Sequence, residues 1–179
     1  MLETELIKRC KKGDGRAFKH LIGKYKNKLF GYLWKFSNSQ YAAEEMFQET
    51  IIKAWRGIDN YNDNKKFPSW LFSIAHNVAV DFVRKDKSKL NVELEKIKEK
   101  TNGFIQDELF IRKETINEIH NIVKALPEKQ KRVFLLRQHA ELSFKEIAKI
   151  TNEPLNTVLS HMNYAVKKIK KELEVNNEI

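Results

Sequence analysis

The segment 155–173 has the residue types and the spacing that could read DNA. Its apolar residues, from Val158 to Leu173, recur every three or four positions and form one face of a helix, and Leu159 lies at the edge of that face. The other face carries hydroxyls and amides first and cations last: Asn156, Thr157, Ser160, His161, Asn163, Tyr164, Lys167, Lys168 and Lys171. Short polar groups can hydrogen-bond to base edges, and lysines can contact phosphates. The same pattern also fits an ordinary amphipathic helix with a solvated polar face.

The residues before this segment predict a shorter helix and a tight turn. Ser143 and Glu146 have the spacing of a capping box, in which each side chain satisfies a backbone N–H at the start of a helix. Asn152 tolerates a left-handed backbone, and Pro154 suits the first turn of a new helix. Together these signals predict a helix-turn-helix, whose second helix would enter the major groove.

Residues that could catalyse a reaction do not form a recognisable pattern. The five histidines are scattered, and none has the helical spacing of a metal-binding pair with a carboxylate between its members. There is no glycine-rich phosphate loop or dinucleotide-binding motif. We therefore expect no cofactor, no metal site and no enzymatic activity. A small nuclease is the enzyme alternative, and metal-dependent DNA cleavage would support it.

The composition favours an all-α protein that interacts with polyanions. Of the 179 residues 41% are hydrophobic, six are glycine and three are proline, which leaves long uninterrupted helical segments. No apolar run approaches a membrane span or a signal-peptide core, and Cys10 is the single cysteine, so we expect a cytoplasmic protein without an internal disulfide or membrane insertion.

The charge is unevenly distributed along the chain. The formal net charge of +10 divides into +7 for residues 1–85, −1 for residues 86–110 and +4 for residues 111–179. Two basic ends joined by a nearly neutral middle suggest two polyanion-binding modules and a linker, although the charge would also serve solubility alone.

Two helical segments in the first half carry features that a plain core does not explain. The predicted helix 40–57, capped by Ser39, has an apolar side that includes Trp55. The opposite side carries Ile52 and an acidic ridge, which in a basic protein favours a protein partner. Tyr61 in the polar loop 59–66 precedes Phe67 and Trp70, and such rings beside cations can bind single-stranded nucleic acid. The alternative is that Phe67 and Trp70 belong to the core and that Tyr61 is an ordinary loop residue. Helix 68–85 follows, and its pattern places His76 off the core face.

The ordered motifs resemble those of a bacterial sigma factor of the extracytoplasmic-function (ECF) group. Residues 42–50, 54–56 and 67–84 resemble region two. Residues 126–137, 142–148 and 156–162 resemble region four. The resemblance implies an all-α fold of two small domains, a region 2 helical bundle in residues 1–85 and a region 4 helix-turn-helix in residues 111–179. A flexible linker, 86–110, would join them.

The resemblance also implies partners and site residues. The partners would be core RNA polymerase, through its beta-prime clamp and beta flap, promoter DNA and an anti-sigma factor. The polymerase-binding residues would be Glu44, Glu45, Gln48 and Glu49. The minus-ten DNA residues would be Asp59, Asn60, Tyr61, Asn62, Lys65, Lys66, Trp70, Asn77 and Arg84. The minus-thirty-five DNA residues would be Asn156, Thr157, Ser160, His161, Tyr164, Lys167 and Lys168.

The recognition helix departs from the family pattern. Leu155 stands where an acidic residue is usual, Leu159 where a basic one is usual, and His161 where arginine is usual. Asn152 replaces the usual turn glycine. Because two cations are missing, we expect weak binding of the upstream element by the C-terminal domain, which arginine at 159 and 161 should strengthen.

Two other functions fit parts of the pattern. A helix-turn-helix regulator would bind a palindrome as a dimer without polymerase. A sigma-like adaptor would bind polymerase without opening promoters.

Overall fold

The computed structural model describes residues 2–37, 39–62, 66–90 and 119–177, with side chains to 85 and 174 in the last two ranges. The described residues form helices and no strand, as predicted. The helices are α1 (Glu3–Cys10), α2 (Gly15–Gly23), α3 (Lys26–Ser37), α4 (Gln40–Gly57), α5 (Phe67–Leu90), α6 (Glu128–Ala140), α7 (Phe144–Thr151) and α8 (Leu155–Asn177). A 3-10 turn (Ile58–Asn60) follows α4, and residues 119–124 are also helical.

Local capping signals determine where several helices begin. Ser39 accepts a hydrogen bond from the backbone N–H of Ala42 at 3.3 Å and starts α4 at the predicted residue. Asp14 accepts from the N–H groups of Arg16 and Ala17 at 3.0 Å and starts α2. These hydrogen bonds hold the pKa of Asp14 below its usual value, and the bond from Ala17 has the largest effect.

The helix α5 continues beyond its predicted end near Lys85 to Leu90, because no helix-breaking residue follows Lys85. The first five positions of the predicted linker, 86–110, therefore belong to this helix. The remaining linker positions lie outside the described residues, so the predicted domain boundaries stay predictions.

Helices α1 to α5 pack into a bundle with an aromatic-rich core, and α3 lies at its centre. Tyr32 and Phe72 are fully buried, with ring centroids 5.7 Å apart. The placement of His76 off the core face was wrong, because this side chain is buried and hydrogen-bonded through Nδ1 to the Tyr32 hydroxyl at 3.0 Å. Desolvation, reinforced by the charge of Arg132, lowers the pKa of His76 to about 4.

The two halves of the chain pack on each other through α3 and α6. The buried Lys131 Nζ donates a hydrogen bond to the backbone oxygen of Phe36 at 3.0 Å, and exposed Lys28 pairs with Glu141 at 2.7 Å. The two helices also approach closely at Gly31, where an added Cβ would lie 3.2 Å from His139 Cε1. One continuous hydrophobic core therefore includes residues from both halves.

Candidate polymerase and nucleic-acid interfaces

The helix α4 separates a buried face from an acidic outer face. Ala43, Met46, Thr50 and Ala54 are buried against the core. The four predicted polymerase-binding residues are all exposed and lie together on the outer face: Glu44, Glu45, Gln48 and Glu49. Intrahelical contacts hold part of this face, since Gln40 donates to Glu44 at 3.1 Å and Tyr41 to Glu45 at 3.2 Å. The structure thus brings this predicted set together.

Three large apolar side chains border the acidic face, and the sequence pattern placed only Ile52 among them on this outer side. Tyr41 is 67% exposed, Ile52 50% and Trp55 36%. The sequence pattern placed Trp55 on the buried side, but its ring contacts only the edge of the core, 4.9 Å from that of Phe18. Apolar side chains among carboxylates are typical of a protein interface. We call Tyr41, Glu45, Gln48, Glu49, Ile52 and Trp55 the α4 surface.

The loop after α4 divides into exposed polar residues and a buried ring. Asp59, Asn60, Asn62 and Lys66 are exposed, and Lys65 lies outside the described residues. Tyr61 is only 4% exposed, in contrast to the expected exposed ring. It packs on Phe67 and Trp70 with centroids at 5.6 and 5.2 Å, and the Lys11 ammonium lies 5.7 Å from its centroid. In this conformation the ring of Tyr61 belongs to the core.

Three predicted minus-ten residues line one side of α5. Trp70, Asn77 and Arg84 are seven positions apart, which places them on one face of a helix. Asn77 and Arg84 are exposed, and Trp70 is half-buried. Arg84 Nη2 pairs with Asp81 Oδ1 at 3.1 Å. Exposed ion pairs of this kind are weak, so a phosphate could take the place of Asp81 as the partner of Arg84.

The helix-turn-helix forms as its capping residues predict. Ser143 Oγ accepts from the Glu146 N–H at 3.3 Å, and the Glu146 carboxylate accepts from the Ser143 N–H at 2.8 Å. Asn152 closes α7 with φ of 53°, in the left-handed region. Val158, Ala165 and Ile169 then bury one face of α8, which packs on α6. This packing presents the opposite face of α8 to solvent.

The exposed face of α8 is narrower than the sequence predicts. Four of the seven predicted minus-thirty-five residues are exposed: Asn156, Ser160, Tyr164 and Lys167. Leu159, predicted at the edge of the buried face, is 38% exposed among them, and Asn163 is exposed as well.

The other three predicted residues of α8 are partly buried. They are Thr157, His161 and Lys168. The ring of His161 is turned toward Glu153, with 3.6 Å between His161 Nε2 and Glu153 Oε2. Lys168 Nζ donates to the backbone oxygen of Ala125 at 3.3 Å. These two side chains therefore contact the protein itself in this conformation.

The start of α5 and the helix-turn-helix lie close together. Helix α5 contacts α7. Partial burial raises the pKa of Glu146, but its hydrogen bonds with Ser143 and the nearby charges of Lys66 and Lys149 outweigh this and lower it below the usual value. Lys66, at the end of the predicted minus-ten loop, is thus near enough to the helix-turn-helix for its charge to act on Glu146.

In the described ranges, no group of three or more histidine, cysteine or acidic side chains is arranged to hold a metal ion. No helix in these ranges is long and apolar enough to cross a membrane.

Family models and relatives match both halves of the chain. The model for Sigma-70 region 2 matches residues 21–89, and that for Sigma-70, region 4 matches residues 116–169. The ECF RNA polymerase sigma factor SigW of Bacillus subtilis is 30% identical over 182 residues, which cover 97% of each chain. The RNA polymerase sigma-H factor of Pseudomonas aeruginosa is 29% identical over 96% of this chain and 94% of its own.

Solved structures share the fold. CnrH, solved in complex with the cytosolic domain of CnrY, superposes with a TM-score of 0.70 at 19% identity and covers 95% of this chain and 96% of its own. The sigma factor RpoE of Bartonella quintana, solved with the anti-sigma factor NepR, gives a TM-score of 0.71 at 20% identity over 88% and 97%. Sigma factors are initiation factors that catalyse no reaction themselves, which confirms the expectation that the chain is not an enzyme. The two family matches and the relatives that span nearly its whole length show that the chain belongs to the ECF sigma factors.

Proposed function

We propose that this chain binds core RNA polymerase through the α4 surface and directs it to specific promoters in the cytoplasm. The observation that carries this proposal is the combination of exposed carboxylates with exposed Tyr41, Ile52 and Trp55 on one helix of a chain with a net charge of +10. Apolar side chains supply most of the energy of a protein interface, and charges contribute specificity and association rate. The beta-prime clamp and the beta flap are the polymerase surfaces that we assign to regions 2 and 4.

The minus-ten DNA would contact the loop after α4 and one side of α5. Exposed Asp59, Asn60, Asn62 and Lys66 support this assignment, and Asn77 and Arg84 extend the same basic and polar surface. Lys65 remains part of the proposed set. Tyr61 could meet a base only after its ring leaves the contacts with Phe67 and Trp70.

The minus-thirty-five DNA would contact the exposed face of α8. Asn156 and Ser160 lie in its first two turns, where a recognition helix reaches base edges, and Lys167 lies farther along, where phosphates are in reach. His161 would contact DNA only after it leaves Glu153. Lys168 would likewise have to give up its hydrogen bond to the Ala125 oxygen.

An anti-sigma factor is the remaining proposed partner. RpoE was solved with one, and its fold is that of this chain. An inhibitor that covers the α4 surface would compete directly with polymerase, because both would use the same exposed apolar and acidic side chains.

A reconstitution assay tests polymerase binding and promoter selection together. We expect the chain to co-elute with core polymerase on a sizing column and to support run-off transcription from genomic fragments. The double variant Glu45→Lys, Glu49→Lys should lose both activities, while Glu5→Lys, an exposed acidic position on α1, should retain them. Separate elution of the unmodified chain and the polymerase would refute the proposal.

A further inference from the structure

An exposed leucine stands in the middle of the polar face of α8. Leu159 is 38% exposed, whereas Val158 beside it is completely buried. Asn156 lies one turn before Leu159 and Asn163 one turn after, and both are exposed. A single exposed leucine on an unspecialised surface needs no explanation. Here, however, the leucine occupies the part of a recognition helix that faces base edges.

The polar neighbours of Leu159 provide few hydrogen-bond donors for reading guanine. Ser160 donates its hydroxyl to the backbone oxygen of Asn156 at 2.9 Å, so this proton is already used within the helix. His161 is turned toward Glu153. The first cation on the exposed face of α8 is Lys167, two turns after Leu159. Guanine is most often read by arginine or lysine, so this face does not suit a guanine opposite Leu159.

Only one base presents an apolar group in the major groove. Thymine carries a C5 methyl group there, whereas cytosine, adenine and guanine expose mainly donors and acceptors. An aliphatic side chain that contacts this methyl group removes apolar surface from water and distinguishes thymine from cytosine.

We infer that Leu159 determines specificity in the upstream promoter element by contacting the C5 methyl group of a thymine. This inference rests on the proposed function of α8. In place of the basic residue that the family resemblance implies at this position, Leu159 offers an apolar contact to thymine, while Asn156 and Asn163 supply amides that suit adenine.

The base preference is measured with the reconstituted holoenzyme, because the promoter sequence is not known in advance. Core polymerase with the full chain selects bound duplexes from a promoter-length library with a randomised upstream element. We expect thymine to be enriched at one position, and Leu159→Ala to lose enrichment at that position alone. Glu172→Ala, an exposed position at the far end of α8, is the matched control and should keep the selected sequence unchanged.

Removing one methyl group from the selected DNA then tests the contact between Leu159 and thymine directly. Replacing that thymine by deoxyuridine removes only the C5 methyl group. We expect the affinity of the unmodified holoenzyme to fall about fourfold, which corresponds to ~0.8 kcal/mol for one buried methyl group. The Leu159→Ala holoenzyme should bind both duplexes equally.

Three outcomes would overturn the inference. Equal binding of thymine and deoxyuridine duplexes by the unmodified holoenzyme would exclude the methyl contact. An unchanged base preference with weaker polymerase retention in Leu159→Ala would show that the leucine contacts polymerase instead. A holoenzyme that initiates transcription without any upstream preference would refute both the role of α8 and this inference. Failure to bind polymerase at all would contradict the proposed function itself.

Discussion

Lys131 Nζ donates a hydrogen bond to the backbone oxygen of Phe36 at 3.0 Å across the contact between α6 and α3. Phe36 lies in the last turn of α3, where backbone oxygens have no partner within the helix and carry partial negative charge. Desolvation, together with the charge of Lys124, lowers the pKa of Lys131, and the hydrogen bond compensates for part of that burial. The hydrogen bond of Lys131 therefore helps to stabilise the packing of α6 on α3.

Removing this ammonium group should weaken the whole structure. We expect Lys131→Met, which keeps the aliphatic stem, to lower the free energy of unfolding by about 1–3 kcal/mol, since it leaves the Phe36 oxygen buried without its partner. Urea denaturation of the full chain measures this change. Lys145→Met at an exposed position of α7 is the matched control and should shift stability by less than about 0.5 kcal/mol. Equal effects of both variants would show that the hydrogen bond adds nothing.

A methyl group at Gly31 tests the closeness of α3 and α6. An added Cβ would lie 3.2 Å from the half-buried His139, so we expect Gly31→Ala to lower stability by roughly 1 kcal/mol despite the better helix propensity of alanine. Gly23→Ala in α2, where a Cβ would meet nothing within 4 Å, should be neutral or slightly stabilising. Thermal unfolding of the two variants gives the comparison. A gain in stability for Gly31→Ala would mean that the two helices are not in close contact in solution.

The stability of the chain should fall in mild acid. Burial is the main cause that lowers the pKa of His76 and of His139 to about 4, with contributions from Arg132 and Lys35 respectively. In the unfolded chain both imidazoles bind protons near pH 6.5. The unfolded state therefore binds more protons between pH 6.5 and 4, and the free energy of unfolding decreases as the pH falls through that window.

The expected loss is roughly 1–2 kcal/mol for each imidazole between pH 6.5 and 5. Urea denaturation at a series of pH values measures it. His139→Gln should flatten the pH dependence, whereas His20→Gln, at an exposed position of α2, should leave it as it is. A stability that is constant from pH 6.5 to 5 would contradict the burial of these side chains.

Arginine at position 159 should strengthen DNA binding more than arginine at position 161. Leu159 faces solvent, whereas a side chain at 161 has Glu153 as a neighbour and would pair with it. We expect Leu159→Arg to tighten binding of duplex DNA by the full chain and to steepen the salt dependence by about 0.9 for one added phosphate contact. Leu2→Arg, which adds the same charge at a 77% exposed position, is the control. A titration at two salt concentrations in which both variants behave alike would refute the assignment of this face.

Local signals in the sequence predicted the helices well. Ser39, Ser143 with Glu146, and Asn152 each act on a backbone group within a few residues, so their roles follow from spacing alone. The exposure of Glu44, Glu45, Gln48 and Glu49 on α4 also follows from helical periodicity. These residues did not depend on knowing what packs against them.

Tertiary contacts determine the side-chain burial that the sequence did not predict. His76 is buried because Tyr32, far away in sequence, offers a hydrogen bond, and Tyr61 is buried because Phe67 and Trp70 fold over it. Neither partner can be identified by periodicity within one helix. The exposure of Leu159 depends in the same way on how α8 packs on α6.

The nearness of Lys66 to Glu146 has a consequence for the distance that the chain can measure along a promoter. The resemblance to the family implies two promoter elements that lie one and a half to two helical turns apart, roughly 50–70 Å at ~34 Å per turn. In this conformation the predicted minus-ten loop and the helix-turn-helix are neighbours, because α5 contacts α7 and the charge of Lys66 acts on Glu146. For the proposed contacts with both elements, the free chain would have to separate α3 from α6, and bound polymerase would then set the spacing between the two halves.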